Sequence, residues 1–76
     1  MKKVLETVII NLIDNKDALE ITETIEDKDV KYVVKVDQND MGRVIGKQGR
    51  LAKSIRTLIK ALASKEQKRV TVEFIY

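Results

Sequence analysis

All three glycines of this 76-residue chain fall at positions 42, 46 and 49, and proline is absent. Glycine reaches backbone conformations that other residues avoid, so this one window is where the chain does something unusual with its backbone. The rest must be built from ordinary helices, strands and tight turns. Residues 2–14 read as a helix, because Leu5, Val8, Ile9, Leu12 and Ile13 recur at helical spacing. Residues 18–26 alternate as a strand, with Leu19, Ile21 and Ile25 on one face and Glu23 as a misfit among them. Residues 30–37 alternate again through Val30, Tyr32, Val34 and Val36, and the short Asp27-Lys28-Asp29 connection suggests a hairpin.

Asp40 reads as the N-cap of a short helix over 41–46. A longer helix covers 50–66, with Leu51, Ile55, Leu58, Ile59 and Leu62 as its apolar stripe and Ala52, Ala61 and Ala63 raising its propensity. The last strand is 69–75, where Val70, Val72 and Phe74 alternate with Thr71 and Glu73. The order is α-β-β-α-α-β. Two helices between the second and third strands allow a parallel, right-handed crossover. The expected fold is α+β: a three-stranded mixed sheet covered on one face by three helices, in one domain spanning 1–76. Tyr32 and Phe74 fall on inward positions and read as core, while the role of Tyr76 stays open.

Composition removes whole classes of function. Without cysteine or histidine the chain has no disulfide, no thiolate metal site and no imidazole base. Its acids are scattered, its lysines lie on solvated faces, and Ser54 and Ser64 have no histidine to activate them, so catalysis is not expected. Neither a cofactor, a metal nor a small-molecule substrate is implied. Hydrophobic residues make up 43% and charged residues 36%, a foldable mix rather than a disordered one. No apolar run approaches the roughly 20 residues of a membrane span. The apolar stretch near the N-terminus is interrupted by Glu6, Asn11 and Asp14 and lacks a small-residue cleavage site, so it is no signal peptide and the expected location is the cytoplasm.

Charge is unevenly placed. Residues 1–40 carry six Lys or Arg against ten Asp or Glu, a net −4, while residues 41–76 carry nine against two, a net +7. A basic half on a small chain points to a polyanion. Arg50, Lys53, Arg56 and Lys60 form a basic stripe that begins at the glycine window and, by helical phase, lies opposite Leu51, Ile55, Leu58 and Leu62. Arg56 and Lys60 are far enough along to be ordinary solvated charges.

The window itself reads Gly42-Arg43-Val44-Ile45-Gly46-Lys47-Gln48-Gly49-Arg50. It fails as a Walker A loop, because Gly42 and Gly46 are separated by three residues and Gln48 follows Lys47. It fails as a dinucleotide fingerprint, which needs G-x-G-x-x-G directly after a strand. What remains is a tight turn between two helices, where a phosphodiester can approach the backbone and a helix start favours an anion.

The segment Val44-Ile45-Gly46-Lys47-Gln48-Gly49 resembles the (I/V)-I-G-x-x-G loop of the KH domain, and the element order is that of its type II, bacterial-style form. The likeness covers essentially the whole chain, including Ile55-Arg56-Thr57-Leu58 and the closing strand, and extends to the small stand-alone KhpA-type bacterial proteins. One departure is Asn15-Lys16, where those proteins often have Asn-Pro in a surface turn. The resemblance implies a single-stranded RNA-binding protein, an RNA chaperone or post-transcriptional regulator, that clamps about four nucleotides. It implies contacts from Arg43, Val44, Ile45, Gly46, Lys47, Gln48, Gly49, Arg50 and Lys53, with the strand over 30–36 as the opposite wall of the groove. Val44 and Ile45 are both candidates for an apolar floor under the bases. It also implies self-association, pairing with a larger KH protein of the Jag/EloR type, and links to cell elongation. The alternative is a protein–protein module with weak or no RNA binding of its own.

Overall fold

A computed structural model describes residues Met1–Tyr76. Helix α1 (Lys2–Ile10) leads into the hairpin β1 (Glu20–Glu26) and β2 (Asp29–Lys35), followed by α2 (Met41–Ile45), α3 (Arg50–Lys65) and β3 (Arg69–Ile75). The sheet order is β1-β2-β3, with β1 antiparallel and β3 parallel to β2, as the two-helix crossover predicts. All three helices cover one face. Val30, Tyr32 and Val34 of β2 and Val70 and Val72 of β3 are buried against Leu5 and Ile9 of α1, Val44 of α2 and Ile55 and Ile59 of α3.

The first helix ends four residues earlier than its apolar pattern suggests. The N–H groups of Asp14 and Asn15 donate to the Asp40 carboxylate, at 3.0 and 2.9 Å, so this stretch is held by a distant side chain rather than by helical bonding. Ile13 stays in the core although it lies outside the helix. The misfit Glu23 has a partner: it stands opposite Tyr32 in register, and the buried Tyr32 hydroxyl donates to its Oε2 at 2.6 Å. β1 is an edge strand, and Ile25 near its end, an inward position by alternation, is 55% exposed.

On α3 the buried face is rotated from the expected stripe. Ala52, Ile55, Ile59 and Ala63 are buried, while Leu58 is 43% exposed and Leu51 and Leu62 are half-buried. Small Ala side chains let this face sit close against the strands and displace the larger leucines to a flank. The basic stripe therefore starts opposite the buried face and turns toward its flank further along the helix. At about 100° per residue, Arg56 stands only about 60° from Ile59, while Arg50 stands about 180° away.

Candidate nucleic-acid interface

The glycine window becomes a corner between α2 and α3. Gly46 takes φ 76° and ψ 179°, a region essentially reserved for glycine, and Gly49 takes φ 75° and ψ 9°. Gln48 between them is also left-handed, at φ 57° and ψ 26°. A Cβ at Gly46 would stand 2.5 Å from Leu51 Cβ and 3.0 Å from Leu51 N, whereas one at Gly49 would meet nothing. Gly46 thus brings the loop backbone against the first turn of α3. The amide of Gly46 donates to Gly42 O at 3.0 Å, closing α2, and Gly49 N donates to Gly46 O at 3.3 Å.

No side chain caps the start of α3; Arg50 N donates to Lys47 O within the loop, and the positive end of the helix dipole lies behind the corner. Lys47, Gln48, Arg50 and Lys53 are exposed around this corner. No carboxylate lies within 4.0 Å of Lys47, Arg50 or Lys53, whereas Lys31, Arg43 and Arg69 are each paired with an acid. The cations nearest the loop are unpaired, as are most lysines and arginines of the chain. Acidic side chains collect at the far edge of the sheet, on β1 (Glu20, Glu23 and Glu26).

Two residues of the expected contact set are placed elsewhere. Val44 is fully buried in the core, so of the two apolar candidates only the half-buried Ile45 presents surface. Arg43 reaches the Asp14 carboxylate at 3.0 Å and Asp40 at 3.8 Å while its side chain stays 56% exposed, so these acids partly offset its charge. The expected groove wall also moves. β2 is the central strand and Val30, Tyr32, Val34 and Val36 are all buried, so the free edge beside α3 belongs to β3.

Asp40 precedes α2 but does not cap it with its side chain. Asp37 does the capping one turn earlier, accepting from Asn39 N at 2.8 Å. Asp40, 2% exposed, instead ties the end of the first helical segment to the start of α2. The amides of Asp14 and then Asn15 hold its carboxyl below the usual carboxylate range against the opposing effect of burial, with smaller help from Arg43 and Lys16. Unfolding returns the carboxyl to its ordinary value near 4. Its contribution is therefore whole above about that pH and fades as pH falls through the lower, folded value. Asp40→Ala should unfold at lower urea than the parent at about pH 7, and the gap should narrow by about pH 3. A gap of constant size would contradict this role.

Comparison with known proteins follows the same lines. Residues 2–74 match the family model described as KhpA/KhpB, KH domain. The chain is 51% identical over 75 residues to the RNA-binding protein KhpA of Clostridium acetobutylicum, covering 99% of this chain and 100% of that one. The chain belongs to the KhpA/KhpB KH-domain family. The RNA-binding protein KhpA of Caldanaerobacter subterraneus subsp. tengcongensis is 49% identical over the same coverage. That of Aquifex aeolicus is 40% identical over 99% of this chain and 95% of its own. No solved structure matches. These KhpA relatives are named for RNA binding, in agreement with the reading of a non-enzymatic chain. No helix is long and apolar enough to cross a membrane.

Arg56 is the residue that pattern reading undervalued. Its Nε donates to Val72 O at 3.0 Å and its guanidinium lies over the Phe74 ring, 5.4 Å from the centroid. Both partners sit 16 or more residues away on another element, so local pattern carries no sign of them.

Proposed function

We propose that this chain is a cytoplasmic RNA chaperone or post-transcriptional regulator that binds single-stranded RNA and grips its phosphate backbone at the corner over 46–49. The observation that carries this reading is the Gly46 backbone. Its conformation and its contact with Leu51 leave no side chain over the corner, next to unpaired cations and a helix start that no side chain caps. Lys47, Gln48, Arg50 and Lys53 supply phosphate contacts, and Ile45 supplies the apolar floor. Val44 and Arg43 act indirectly, by holding α2 in place. Fluorescence anisotropy of a short single-stranded RNA at two salt concentrations tests this. Affinity should fall with a log–log slope of about −2 to −3, as for four phosphates at about −0.7 each. A slope near zero would contradict backbone gripping.

Pairing with a second KH chain, either a copy of itself or a Jag/EloR-type partner, is the second reading. Val4 on α1 and Leu58 on α3, 40% and 43% exposed, favour it as apolar surface on the helical side. The same titration separates the two, because a chain that only pairs binds no RNA by itself.

A further inference from the structure

β3 has a free edge, and one side chain is fastened onto it. Arg69 N donates to Lys28 O at 2.8 Å and Ile75 O accepts from Val36 N at 3.0 Å, so the odd-numbered residues of β3 turn their backbone groups toward β2. By strand alternation Val70, Val72 and Phe74 turn theirs to the open edge. The Val72 carbonyl found there is the one that accepts from Arg56 Nε. The same guanidinium lies over the half-buried Phe74 ring. One edge of its plane is therefore held by the strand and one face by the ring. Arg56 remains exposed, and its Nη groups make no hydrogen bond within the chain.

This station stands close to the glycine corner. Arg56 follows Arg50 by six residues, about 9 Å along the helix axis. β3 runs back along α3, which places Phe74 toward the start of that helix. The separation is within the span of the four or so nucleotides a KH groove holds. The chemistry favours a base over a phosphate here. With Nε engaged, the side-on fork of the guanidinium is closed to a phosphate and only the end-on pair of Nη groups remains for one, whereas a whole face of the plane stays open to a base. That outward face is flat and cationic, held by the Val72 carbonyl and the Phe74 ring, the kind of surface on which unpaired bases stack.

We propose that Arg56, backed by Phe74, is a base-stacking platform of this chain: a nucleobase of the RNA held at the corner over 46–49 stacks on its outward face. This rests on the RNA-binding reading above. The test compares a labelled oligouridylate with an abasic ribose-phosphate oligomer of equal length, titrated with the wild type, Arg56→Lys and Phe74→Leu. Arg56→Lys keeps the charge and removes the plane. It should bind the oligouridylate about fivefold or more weakly than the wild type, the loss of one stacked base, and bind the abasic oligomer equally well. Phe74→Leu should show the same pattern with a smaller loss, and it carries the test if Arg56→Lys unfolds. Equal losses on both oligomers, or no loss on either, would overturn the platform while leaving RNA binding standing. A wild type that binds neither oligomer would overturn both.

Discussion

Gly46→Ala is expected to destabilise the chain by about 3 kcal/mol or more, a large part of the about 4–11 kcal/mol available to a domain of this size. Two costs coincide at this position. The backbone sits at φ 76° and ψ 179°, where a side chain is strained. The added Cβ would also stand 2.5 Å from Leu51 Cβ and 3.0 Å from its backbone nitrogen, so relief requires the first turn of α3 to move. The other two glycines provide the contrast. Gly49→Ala meets open space and bears only the left-handed backbone penalty, about 1–2 kcal/mol. Gly42→Ala lies inside α2 with nothing near it, and is expected to stabilise by about 0.5–1 kcal/mol. Urea denaturation of the three variants checks the order. Equal effects at 46 and 49 would show that the contact with Leu51 does not constrain the loop.

Reversing charge at the loop tip should abolish most RNA binding and leave the fold intact. In the double variant Lys47→Asp, Gln48→Asp both side chains are exposed, and Lys47 has no carboxylate partner to lose. Gln48 is left-handed, a conformation Asp adopts more readily than most residues, so the substitution does not work against the turn. Both glycines remain. The changes put two negative charges where the phosphates are expected, and affinity for single-stranded RNA should fall at least about tenfold at low salt, with a shallower salt slope. Circular dichroism should show an unchanged fold. Undiminished binding would assign the affinity to the basic flank of α3 acting as an unspecific polyanion surface.

Much of this architecture is legible because its signals are local. Alternation places β3 at 69–75, and clustered glycines mark the corner whatever surrounds it. The places where reading fails are those governed by distant partners. Past Ile10 the chain leaves the helix: Leu12 N turns back to Ile9 O, and Asp40, far along the chain, takes the amides of Asp14 and Asn15. On α3, Ala52 and Ala63 matter for their small size against the sheet, which a count of large apolar residues overlooks. Glu23 looks misplaced until Tyr32 stands opposite it. Val44 and Ile45 are equivalent as a sequence pair, and only the packing of α2 buries one and leaves the other partly open.

The central claim, that RNA is held at the corner between α2 and α3, is tested most directly by nuclear magnetic resonance. A short single-stranded RNA is added stepwise to the nitrogen-15-labelled chain and the backbone amide shifts are followed. The amides over 45–50 and Lys53 should move progressively to saturation, while Thr22 and Thr24 on the acidic strand β1 stay in place. Shifts concentrated on β1 or the helix-free face of the sheet, with the corner unmoved, would contradict it.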